Sequence, residues 1–171
     1  MTLALPLTPL ETGRAQVSQH WCITRDGDPQ ALALFVRHYS CHRPARKWNG
    51  GNYARFTGPG HSLVLISTDG QAIFAWRTER FRLDGQTGVQ CAVFRNEGQV
   101  LSSDLVREAS ALAWQRWPGE RLYTYVNPRR IQSSNPGYCF QLAGWQKTAA
   151  RSTRGLIILE ALPLASPVSH G

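Results

Sequence analysis

Apolar positions in this chain fall mostly in short runs suited to strands, interrupted by stretches with helical spacing. Gln19 to Arg25 reads as a short strand. Asp28-Pro29 then starts a helix, with Asp as the capping residue and Pro in the first helical position; Leu32, Phe35, Val36 and Tyr39 fall on one face. From Ser40 to Gly60 the pattern dissolves into Arg, Gly, Asn and Pro with scattered aromatics, and so long a stretch without periodicity is usually mobile or functional. His61 to Thr68 and Gln71 to Thr78 form a hairpin about an Asp69-Gly70 turn. Gly88 to Arg95 is the next strand. A polar loop leads from it to a helix capped by Ser102 or Ser103, in which Leu105, Val106, Ala109, Leu112 and Ala113 make one apolar stripe. Pro118-Gly119 stops that helix.

Arg121 to Val126 reads as a strand, Pro136 to Ala143 as a short helix with Gly144 as its C-terminal cap, and Trp145 to Ala149 and Gly155 to Ala161 as two closing strands. The order is β-α-loop-β-β-β-α-β-α-β-β, with no internal repeat and no linker. It predicts a single α/β domain over residues 1–171, with a mixed, mostly antiparallel sheet flanked by helices and with flexible ends at 1–15 and 163–171.

Charge adds a partner to this picture. The 171 residues carry a formal net charge of +8, and lysine occurs only at Lys47 and Lys147, so the excess is arginine. Guanidinium groups suit planar, bidentate contact with phosphate, and positive charge of this size steers polyanions to the surface. A genome bias towards arginine accounts for the ratio of the two residues but not for the net charge, so nucleic acid is expected as partner or substrate. The four cysteines (Cys22, Cys41, Cys91, Cys139) are far apart and imply no disulfide framework, which points to a reducing cytoplasm. The opening residues lack a basic region and are broken by prolines, and no apolar run approaches membrane-spanning length.

The strand–loop–helix junction from Cys91 to Ala109 carries the first chemical signal. Amides in the first turn of a helix lack partners within it and carry partial positive charge, so such a junction can hold a phosphate or pyrophosphate. Here Arg95 and the hydroxyls of Ser102 and Ser103 would assist the amides of residues 98–103; an ordinary capped helix is the plainer alternative. A second signal is the interleaving of Arg37, Arg43, Arg46, Lys47 and Arg55 with Trp48, Tyr53 and Phe56. Cations contact phosphates while aromatic faces stack on unpaired bases, as an enzyme holding a base flipped from duplex DNA requires. A solvated loop with an aromatic or two folded onto the core is the alternative. His38, Cys41 and His42 suggest metal ligation, but Pro44 interrupts a continuing helix and no third ligand is evident, so a basic cluster is expected and no metal site is predicted.

The element order, a phosphate-type loop after the fourth strand, and Asn135-Pro-Gly-Tyr-Cys-Phe-Gln-Leu-Ala-Gly-Trp145 together resemble the GNAT acyltransferase superfamily over roughly residues 88–160. More narrowly, the chain is similar to the Mom-like phage DNA-modification proteins, a divergent GNAT branch that alters adenine in DNA. That likeness is carried by His38-Tyr39-Ser40, Phe94-Arg-Asn-Glu-Gly98 with Ser102-Ser103, and Tyr125-Val-Asn with Asn135-Pro-Gly-Tyr-Cys-Phe. The resemblance implies transfer of an acyl or carbamoylmethyl-type group to the N6 amine of adenine, protecting double-stranded DNA from restriction, with acetyl-CoA or a related acyl donor. It places Phe94, Arg95, Asn96, Gly98, Ser102 and Ser103 at the donor, and His38, Tyr39, Tyr125, Asn127, Asn135 and Tyr138 around the reacting groups. There are two departures. The loop has only Gly98 where the superfamily has several glycines, and Phe140 stands where many members carry a tyrosine general acid.

Acidic residues separate the substrate classes. An alkyl amine is protonated at neutral pH and its transferase needs a base, whereas the adenine amine is already neutral and needs orienting. Asp28, Asp69, Asp84 and Asp104 all sit at caps or turns, leaving Glu97 and Glu108 as the acids that could face a pocket. The rival readings are an ordinary acetyl-CoA-dependent N-acetyltransferase acting on a small or protein amine, and a non-catalytic DNA-binding module on the same scaffold.

Overall fold

A computed structural model describes residues 14–38, 56–58, 60–79, 84–131 and 134–164. Its elements are β1 (Ala15–Gln16), β2 (Trp21–Thr24), α1 (Pro29–Val36), β3 (His61–Ser67), β4 (Ala72–Thr78), β5 (Val89–Asn96), α2 (Ser102–Arg116), β6 (Leu122–Val126), α3 (Tyr138–Leu142), β7 (Gln146–Arg151) and β8 (Ile157–Ala161). All eight strands join one sheet in the order β1-β2-β3-β4-β5-β6-β8-β7. Among the described residues only β5 and β6 pair in parallel. The predicted mixed, mostly antiparallel α/β architecture is therefore what forms.

Period-two alternation sends side chains to two cores. Val64, Ile66, Ile73 and Ala75 pack with Ala31, Leu34 and Phe35 of α1 on one face. Leu65, Phe74 and Trp76 pack with α2 on the other, where Leu105, Val106, Ala109, Leu112 and Ala113 are all buried as the stripe predicted. Three indoles anchor α2 to the sheet. The Nε1 atoms of Trp21 and Trp76 donate to the carbonyls of Leu105 and Ala109, at 3.0 and 3.1 Å, and Trp145 Nε1 donates to Ser110 Oγ at 3.1 Å.

Several local expectations change. The apolar face of α1 is Ala31, Leu34 and Phe35, with the expected Leu32 half-buried against it, while Val36 is exposed; Tyr39 lies outside the described residues. The helix is short and seats its small Ala31 against the strands, which turns Val36 outward. Asp28 does cap α1, accepting from the amides of Gln30 and Ala31, and its carboxylate also binds Arg14 at 2.7 Å. Ala15, the last residue of the end expected to be flexible, joins Gln16 in β1 against β2. The cap of α2 is Leu101, with Ser102 and Ser103 as the first helical residues. Ser102 Oγ is instead the acceptor for Asn96 Nδ2 at 3.0 Å, which draws the hydroxyl into the loop. α3 is shorter than predicted, starting at Tyr138 behind Gly137, while Gly144 closes it with φ 97°. β7 begins one residue late because Trp145 turns into the core.

Candidate functional site: a cleft between splayed parallel strands

The β5–β6 ladder is short. Val89, Gln90 and Cys91 pair with Leu122, Tyr123 and Thr124, and beyond them the strands part. Gly88 permits the approach that starts the ladder. Its φ is 107°, and a Cβ there would lie 2.1 Å from the Arg121 carbonyl oxygen. The parting coincides with a bulge in β5. Ala75 faces Val93 and Trp76 faces Cys91, so Ala92 has no opposite on β4. The bulge shifts the alternation by one residue. Cys91 and Phe94 join the α2 core, while Ala92 and Val93 pack on the α1 side.

The parted strands open a cleft of about 660 Å³, within the range of small-molecule sites. Its polar walls include His38, Tyr125, Asn127, Asn135, Tyr138 and two arginines, Arg130 and Arg154. Five of the six predicted catalytic residues thus meet at one site; the sixth, Tyr39, is outside the described residues, as are Arg43, Arg46, Lys47, Trp48, Tyr53 and Arg55. The described lining contains no Asp or Glu. Among the acids left open by the sequence, Glu97 pairs with Arg37 and Arg95, and Glu108 accepts from the His20 amide and pairs with its ring.

Each wall residue has a defined setting. Burial first, and then the nearby Arg95 charge, take His38 from an ordinary 6.5 down to about 4, against a backbone hydrogen bond at Phe94 that favours the proton. It is therefore a neutral imidazole at physiological pH. The Tyr125 hydroxyl donates to Asp84 at 2.8 Å, so the turn aspartate orients a cleft phenol. Asn127 Oδ1 accepts the Arg129 amide at 3.0 Å and shapes the turn that presents Arg130. Asn135 is a brace, bonded to Gln141 and to Lys147. Tyr138, 54% exposed, opens α3, whereas Phe140 is buried against Phe94 and Trp145, ring centroids 5.9 and 4.9 Å away. Burial also raises the Cys91 and Cys139 thiols, so neither is a thiolate at neutral pH.

The predicted donor residues divide. Phe94 lines the cleft; Arg95 and Asn96 end the same strand, Gly98 lies in the loop after it, and Ser102 and Ser103 open α2, all outside the described lining. Asn96 moulds that loop by accepting the Gly98 amide and donating to the Val100 carbonyl at 2.7 Å. Its conformation leaves the first turn of α2 without a side-chain cap. Arg95 turns to the α1 side instead, bonding Glu97 and the Arg37 carbonyl. Arg37 and Arg95 together hold Glu97 below the usual carboxylate range. Phe56, grouped by sequence with the base-stacking aromatics, is buried and stacked on Phe35 at 4.9 Å. Sequence reasoning missed Arg130 and Arg154. They come from two turns far apart in the chain, and only the β6–β8 pairing brings those turns together. No family model, curated protein or solved structure matches this chain.

Proposed function

We propose that the protein is a GNAT-like group-transfer enzyme of the Mom-like kind, modifying the N6 amine of adenine in DNA. The observation that carries this reading is the cleft between parted parallel strands, lined by two arginines and no described carboxylate, with one lip formed by the strand that leads into α2, whose first turn has no side-chain cap. Strand edges freed from pairing can bond an extended, amide-bearing donor, and the loop amides suit its phosphates. A bound acyl donor of the coenzyme A type would supply the electrophilic carbon.

The chain's own residues orient the acceptor. Tyr125 lines the cleft with its hydroxyl oriented by donation to Asp84, and there it would orient an exocyclic amine. Asn127, its carbonyl oxygen committed to Arg129, has its amide nitrogen left to donate to a ring nitrogen. The Tyr138 ring at the cleft mouth offers a face for base stacking. Neutral cysteines favour direct transfer over a thiol-bound intermediate. An ammonium substrate is disfavoured, since Arg130 and Arg154 repel it and no described lining carboxylate would take its proton.

The test is nucleoside mass spectrometry of plasmid DNA from bacteria expressing the soluble protein. An adenine adduct at N6 is expected, and it disappears in a Tyr125→Phe, Asn127→Ala double variant. Unmodified adenine alone, with soluble protein present, overturns the reading.

A further inference from the structure

The described cations fall into two sets. Arg14, Arg37, Arg77, Arg95, Arg107 and Arg121 each pair with a carboxylate. Arg25, Arg116, Arg129, Arg130, Lys147, Arg151 and Arg154 are exposed and form no ion pair among the described residues.

Topology gathers the last five of these seven. Val126 at the end of β6 and Arg151 at the end of β7 both lie opposite Ile157, the first residue of β8. The turns at 127–131 and 152–156 therefore stand together at one end of the sheet. Arg130 and Arg154 reach the cleft, and Lys147 Nζ donates at 3.0 Å to Asn135, itself a cleft residue. Arg151 Nη1 bonds the Gly155 carbonyl at 3.4 Å across its own hairpin. Arg129 and Arg151 lie outside the cleft lining. Gathered like charge repels itself, and a bound polyanion relieves that repulsion.

We propose that these five cations form a phosphodiester-binding rim, which grips the DNA backbone beside the base that enters the cleft. The proposal rests on the reading of the cleft as a DNA-modifying site. It places a backbone contact on the β6 and β7–β8 turns, remote in sequence from the basic aromatic stretch at 37–55. A donor's own phosphates share the same chemistry, but they would engage the cleft-lining arginines rather than the outer pair.

The experiment is a salt series of duplex-DNA binding, read by fluorescence anisotropy, for the wild-type chain and Arg129→Gln/Arg151→Gln. Coenzyme A titrations run in parallel. Each lost phosphate contact removes roughly 0.9 from the log–log salt slope, so the double variant is expected to lose about 2. Its coenzyme A affinity and melting temperature should hold, because both side chains are exposed. An unchanged slope, absence of DNA binding by the wild type, or loss of coenzyme A affinity with DNA binding intact would each overturn the rim. Modified adenine together with an unchanged slope sinks the rim alone; a reduced slope without any adduct sinks the modification reading alone.

Discussion

His38 shows how little a residue's type says about its charge. It enters the cleft at the end of α1, and its neutrality follows from burial and from the Arg95 guanidinium. Its imidazole resonances should titrate with a midpoint near 4 rather than 6.5, and Arg95→Gln should raise that midpoint. Because the folded value lies below the unfolded one, the unfolded chain binds the proton first. His38 therefore withdraws stability as pH falls from about 6.5 towards about 4, and has no such effect above that window. An NMR titration that finds a midpoint above 6 contradicts this account. The cap at Asp28 was legible from sequence because its partners are two and three residues away. The serine cap was misread because Ser102 is engaged by Asn96, a side chain across a loop that no local rule describes.

The elements that frame the cleft depend on backbone geometry more than on apolar pattern. Gly137 precedes α3 at φ 81°, and a Cβ there would meet Leu159 Cδ1 at 2.6 Å. Gly137→Ala should cost about 1–2 kcal/mol for the left-handed backbone alone, with more from the clash. It should also displace Tyr138, so adduct formation falls by more than the loss of folded protein accounts for. Denaturant melts alongside a per-folded-molecule adduct yield check this; an unaltered melt removes the argument. The positions of β3 and β4 were legible because two apolar runs flank the Asp69-Gly70 turn signal. The bulge at Ala92 was not, since an extra residue in one strand is defined only against its partner. The cleft itself was invisible for the same reason, although most residues around it had been singled out by motif.

Across the whole molecule, α2 is the common support. Trp21 and Trp76 reach it from β2 and β4, and Trp145 reaches it from the segment before β7. Amides of α2, β4 and β5 should be the slowest to exchange with deuterium, and those of β1 and the exposed edge strand β7 the fastest. Uniform protection would contradict that order. The order of elements along the chain from β2 to β8 was readable from one sequence. The convergence of Arg130 and Arg154 was not, because it depends on which strand ends become neighbours.

The short β5–β6 ladder also has a mechanical consequence. The sheet is two blocks, β1–β5 and β6–β8, joined by three residue pairs and by the helix pegged to both. In load-bearing terms the cleft is a notch. Stress applied across the strands concentrates where Cys91 and Thr124 make the last pair, and a molecule bonded to both lips closes the notch and stiffens the sheet as one body.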